Sequence, residues 1–155
     1  MLAIPLKGGC VCGDVKYAVS GQPLLATICH CTTCQKRTGS AFSMNLLVRR
    51  KDFSLLQGRT LIRDLKTASD SLNRHHFCET CLVRTHTEPA AHPQVTYVRP
   101  GTLDAPDMVT PTVQIWTQSA RPGFILDGAK CYEQNMVDVS DQARAWQAAN
   151  PVGRE

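Results

Sequence analysis

Seven of the eight cysteines fall in three tight clusters, and no other feature of this 155-residue chain restricts its fold as much. Cys10 and Cys12 form a C-x-C pair, Cys29, Cys31 and Cys34 a C-x-C-x-x-C run, and Cys78 and Cys81 a C-x-x-C pair; Cys131 stands alone. Cysteines this close in sequence are poorly placed to bridge one another, whereas their thiolates can converge on one metal ion. The amino terminus, Met1 to Gly9, has neither a charged leading region nor a long apolar stretch. No secretory signal is expected from it, and a cytoplasmic location is. Thiols stay reduced there, and a chain of this length builds a core without a disulfide framework. The spacing favours metal over disulfide, with zinc on thiolates at about 2.3 Å as the usual outcome.

Two pairs make four ligands. Cys10 and Cys12 with Cys78 and Cys81 complete a closed site, which leaves no position for substrate and is therefore structural. Cys29, Cys31 and Cys34 supply three thiolates and no fourth, the arrangement of a catalytic zinc with an open position. Two zinc ions per chain are expected, and the three-cysteine site is the more labile. His30 could close that site as a fourth ligand. In an extended segment, however, adjacent side chains point to opposite faces, so Cys29 and Cys31 converge while His30 points away, where it could still orient a substrate. Cys131 could also close it, but nothing beside it reads as a ligand pair, and it is expected to be a lone buried cysteine.

Composition limits the alternatives. Hydrophobic residues make up 43% and charged residues 19% of the chain, as in a packed globular domain. No apolar run approaches the roughly 18 residues needed to span a bilayer, so no membrane role is expected. The net charge of +4 falls short of the clustered charge of a nucleic-acid binder. From Gln35 to Lys66, however, eight basic residues face two acidic ones. Such a run is either a solvated face or an attraction for a small anionic substrate beside the second cysteine cluster.

Hydrophobic alternation marks strands rather than long helices. Val15, Tyr17 and Val19 alternate, as do Met44, Leu46 and Val48, and then Val113, Ile115 and Thr117. Further strands are expected over 24–28, 53–56, 61–66, 73–77 and 95–98, with a turn at Arg99-Pro100-Gly101. One helix is expected from Asp138 to Ala149, capped by Asp138 or Ser140, with Pro151 beyond its end. The chain reads as a mainly β single domain over 1–155, with its core over about 8–135 and a helical tail over about 138–150.

Gly8-Gly9-Cys10-Val11-Cys12-Gly13-Asp14-Val15 resembles the opening of the glutathione-dependent formaldehyde-activating enzyme family, which includes centromere protein V. The resemblance continues through Cys29-His30-Cys31-Thr32-Thr33-Cys34-Gln35-Lys36, Thr38-Gly39-Ser40-Ala41-Phe42 and Phe77-Cys78-Glu79-Thr80-Cys81. It reappears at Gly101-Thr102-Leu103-Asp104 and at 115–122. It implies an Mss4-like, zinc-stabilised β fold (β-tent) with one closed four-cysteine zinc and a second zinc on three cysteines. It also implies carbon–sulfur lyase activity, the reversible joining of glutathione and formaldehyde into S-(hydroxymethyl)glutathione. Three departures stand out: Leu82-Val83-Arg84 follows Cys81 where the family places a glycine turn, Gly123 stands where a Trp commonly follows the proline, and Gln114 precedes the apolar pair.

Three functions follow as expectations. The first is a zinc-dependent lyase acting on a small thiol such as glutathione and a small aldehyde, with Cys29, Cys31 and Cys34 at the catalytic zinc. In that reading Lys36 or Arg37, or neither if both are simply solvated, pairs with a substrate carboxylate. The second is a non-catalytic zinc-stabilised binding module of the centromere protein V type, although the basic stretch lacks the interleaved aromatics of a nucleic-acid platform. The third is a redox protein, which lacks the βαβ setting in which C-x-x-C signals thiol exchange. Oligomeric state is not legible.

Overall fold

The computed structural model describes residues 1–154. The alternating stretches become strands, and most pair with their neighbours in sequence. Strand β1 (Leu2–Ile4) leads into β2 (Leu6–Gly9) and β3 (Lys16–Val19), followed by β4 (Leu25–Cys29) and helix α1 (Thr32–Thr38). Next come β5 (Ser43–Arg49), β6 (Phe53–Gln57), β7 (Thr60–Lys66), β8 (Leu72–Cys78), β9 (Arg84–Pro89) and β10 (Val95–Val98). The chain ends with β11 (Val113–Ile115), β12 (Lys130–Tyr132), α2 (Val139–Ala149) and β13 (Val152–Arg154). The protein is mainly β.

Eight strands form one mixed sheet in the order β12-β11-β4-β5-β10-β9-β8-β7, antiparallel except where β11 pairs in parallel with β4 and β12. Every residue of β4 is buried, as in a strand covered on both faces. Strands β2, β3 and β6 form a second, antiparallel sheet. The two sheets meet through aromatic contacts. Tyr17 on β3 stacks on Phe53 of β6 with ring centroids 5.4 Å apart, and Phe53 lies 4.4 Å from the His86 ring on β9. The Tyr17 hydroxyl meets Thr102 Oγ1 at 2.7 Å, so this buried ring keeps a polar partner.

Helix α2 packs against β4, and its Trp146 is fully buried in the same core as Leu25, Leu46, Val98 and Val113. The indole N–H donates to the Thr110 carbonyl at 3.0 Å. Beyond the helix, β13 pairs in parallel with β1. Asp138 occupies the N-cap position without a side-chain cap bond, and its carboxylate instead accepts from Lys130, Tyr132 and Gln142. Ser140 lies inside the helix, so it is not the cap. Among the described residues, no helix is long and apolar enough to cross a membrane.

Strands β1, β2, β9, β12 and β13 and helix α1 are not marked by hydrophobic alternation, and β9 and α1 have clear physical reasons. Strand β9 carries Thr85, His86 and Thr87, all buried, so its interior position has no apolar signature. Helix α1 buries none of its helical residues and therefore shows no helical period. Thr117, placed in a strand by alternation, lies in a short 3-10 turn after β11.

Candidate metal and thiol-binding site

All eight cysteines are free thiols, and seven of them gather into two groups. The first group is built from two similar chain reversals. After β2, the Cys10 N–H donates to Val15 O at 3.0 Å and the Gly13 N–H to Cys10 O at 3.1 Å. This close return requires Gly9, because a Cβ there would lie 2.3 Å from the Val15 carbonyl oxygen. After β8, the Cys78 N–H donates to Val83 O at 2.9 Å and the Leu82 N–H to Cys78 O at 3.1 Å. Gly13 (φ +84) and Leu82 (φ +58) hold corresponding left-handed positions, so the missing family glycine is replaced by a strained leucine.

The sulfur atoms of Cys10, Cys12, Cys78 and Cys81 lie within 4.8 Å of one another. Cys10 and Cys12 are 3.4 Å apart, and Cys12 and Cys78 are 3.6 Å apart. These separations are far longer than a disulfide bond of about 2.05 Å. They are close to the about 3.8 Å expected between thiolates held tetrahedrally at about 2.3 Å from zinc. Amide N–H groups already favour thiolate here: Val15 N–H donates to Cys10 Sγ at 3.2 Å, and the amides of Val83 and then Cys12 bring Cys81 down to about 6.

The second group joins the end of β4 to the start of α1. Cys29 is the last residue of the strand, Cys31 is the N-cap of the helix and Cys34 lies in its first turn. Cys31 Sγ accepts the Cys34 N–H at 3.3 Å. Hydrogen bonds from the Cys29 and Cys34 thiols lower Cys31 to about 3, while the same bond to Cys31 is the largest cause that pushes Cys29 up. Cys29 and Cys31 are buried and Cys34 is half-buried. Each of the two groups could hold a metal ion, the first through four thiolates and the second through three.

His30 turns away from the three sulfurs. Its Nε2 lies 3.1 Å from Gln114 Oε1, which also accepts the Leu126 N–H at 2.9 Å, while Gln114 Nε2 donates to Leu126 O. That pairing fixes the amide, so His30 donates from Nε2, while its buried Nδ1 has no hydrogen-bond partner. Gln114, noted as a departure in the sequence, therefore orients His30.

The surroundings of this second group are strongly basic. Arg99, just after β10, is half-buried, and its Nη1 donates to Ser43 Oγ, Asn45 Oδ1 and Met44 O. Ser43 is the register partner of Cys29. Burial lowers Arg99 to about 9 and Arg84 to about 10, and the charge of Cys34 pulls both back up. Arg37 and Arg84 approach opposite nitrogens of His75, at 3.4 and 3.0 Å. Burial, followed by the Arg84 and Arg37 charges, lowers His75 to about 3, so it remains neutral between them. Arg37 also donates to Lys66 O, whereas Lys36 is exposed. Of the remaining basic run, Arg49, Arg50 and Lys66 pair with Asp52, Glu88 and Asp70.

Arg84, Arg99 and His75 were not legible as site residues, because they lie 41 or more positions from Cys34 in sequence and Arg99-Pro100-Gly101 reads simply as a turn. Cys131 corrects an expectation. It is exposed on β12, the edge strand, where its sulfur accepts from Gln114 Nε2 at 3.5 Å, and it joins neither group.

The family model for the glutathione-dependent formaldehyde-activating enzyme matches residues 5–119. A Rhodobacter sphaeroides protein of known crystal structure is similar at 26% identity and a TM-score of 0.51, over 68% of this chain and 92% of that one. The match spans both cysteine groups and every strand from β2 to β11, and the chain belongs to the glutathione-dependent formaldehyde-activating enzyme family.

Proposed function

We propose that the chain is a zinc-dependent carbon–sulfur lyase of the S-(hydroxymethyl)glutathione synthase type, acting on a glutathione-like thiol and a small aldehyde. The observation that carries this reading is the difference between the two cysteine groups: among the described residues four sulfurs surround one point, whereas the other group gathers three, beside the half-buried Arg84 and Arg99. Both donor sets suit zinc, being soft thiolates whose sulfurs already accept amide N–H groups. Cys10, Cys12, Cys78 and Cys81 would hold the structural ion, and Cys29, Cys31 and Cys34 the second. Zinc bound at the three-cysteine group would keep a substrate thiol deprotonated at neutral pH.

The chain's own groups then bind and orient. Glutathione carries two carboxylates, and Arg37 and Arg84 can meet one through charge-assisted hydrogen bonds. Of the Lys36–Arg37 pair, Arg37 is the one seated against the site, while Lys36 faces solvent. Arg99 anchors Ser43 beside Cys29 and offsets the negative charge that an added thiolate brings. In adduct formation the sulfur bonds to the aldehyde carbon and the thiol's proton ends on the former carbonyl oxygen. Cleavage is the reverse, and nothing is oxidised or reduced.

The test is exchange NMR of glutathione mixed with formaldehyde. The parent should accelerate adduct formation, and Cys31→Ser should return it to the uncatalysed rate. A parent carrying both zinc ions that leaves the rate unchanged overturns the lyase reading.

A further inference from the structure

Strands β8 and β9 carry a third set of donors that the cysteine chemistry does not use. His76 and His86 are register partners across the two strands, and Glu88 lies two residues beyond His86 on the same face. The two imidazoles stack with centroids 4.1 Å apart, both are buried, and Phe53 covers His86 from the second sheet. One donor atom from each of His76, His86 and Glu88 lies within 4.8 Å of the others.

We infer that His76, His86 and Glu88 bind a divalent transition ion of the zinc, cobalt and nickel class. Threonine hydroxyls meet the remote nitrogen of each ring: Thr60 Oγ1 lies 2.9 Å from His76 Nδ1, and Thr85 Oγ1 lies 2.9 Å from His86 Nδ1. With those hydroxyls accepting, both rings carry the proton on Nδ1 and present an Nε2 lone pair, the tautomer that ligates metal. His76 Nε2 is buried without a hydrogen-bond partner, an expense that an ion there would remove. The carboxylate is oriented as well. Arg50 holds Glu88 Oε1 at 2.8 Å, leaving Oε2 facing His76 Nε2 at 3.6 Å. That gap is too long for a hydrogen bond, but two ligands at about 2.1 Å from one ion sit about 3.0–3.6 Å apart. Two imidazoles with one carboxylate select against magnesium and calcium and leave positions for water.

The set is independent of the cysteine groups, and so is its test. Protein whose cysteine groups are saturated with zinc is titrated with Co2+, and uptake is followed by visible absorption and by metal content per chain. The parent should take up one further equivalent, with weak ligand-field bands and no thiolate-to-cobalt charge transfer. Glu88→Gln and His86→Gln should each lose that equivalent while retaining their zinc, and Thr60→Val should weaken it severalfold. Absence of uptake by the parent overturns the inference. So does uptake that carries thiolate charge-transfer bands, or uptake that persists in Glu88→Gln.

Discussion

Leu82 shows what a single position costs in this fold. Its φ of +58 lies in the left-handed region, and its side chain is 63% exposed, so little burial compensates. A left-handed conformation costs a non-glycine residue roughly 1–2 kcal/mol, while glycine forfeits roughly 0.5–1 kcal/mol of unfolded-chain entropy. Leu82→Gly should therefore stabilise the protein by about 0.5–1 kcal/mol, read as a melting temperature a few degrees higher. A lower melting temperature would mean that the leucine packs in a way its exposure does not suggest. At this scale the sequence was informative about the cysteines, whose spacing alone sorted them into two groups. It was silent about Arg84 and Arg99, which come near Cys34 only once the strands of the large sheet are paired, and about His75, which lies between Arg84 and Arg37.

Elements were legible where burial alternates with exposure. Val15, Tyr17 and Val19 are buried and mark β3; Leu46 and Val48 do the same for β5. Strand β9 escaped because its central buried residues, Thr85, His86 and Thr87, are polar and joined by hydroxyl–imidazole bonds. Helix α1 escaped because its geometry follows from capping by Cys31 and the left-handed Gly39 at its end, not from an apolar face. Helix α2 was legible, but its weight in the fold was not. Trp146 is 1% exposed within the main core, so the segment read as a tail contributes to the centre of the molecule. Truncating a buried tryptophan costs about 3–5 kcal/mol, and Trp146→Ala should lower the denaturant midpoint accordingly. A variant that unfolds at the parent's midpoint would contradict that placement.

At the scale of the whole molecule the two cysteine groups have different reach. Cys12 and Cys78 are 66 residues apart in sequence and join the second sheet's β2–β3 reversal to the end of β8, whereas Cys29 to Cys34 lie within one strand–helix junction. An ion at the first group closes a long loop and contributes directly to folding, while one at the second closes a very short loop. Cys78→Ser should therefore lower the melting temperature sharply. Cys31→Ser should lose one zinc equivalent and melt nearly as the parent does, and equal losses in both variants would remove the distinction. The central claim is that the three-cysteine group keeps a position for a substrate sulfur. Isothermal titration of glutathione into protein carrying zinc at both cysteine groups tests it most directly. Stoichiometric binding is predicted, abolished in Cys34→Ser and weakened in Arg84→Met; no heat from glutathione or any related small thiol would contradict the account.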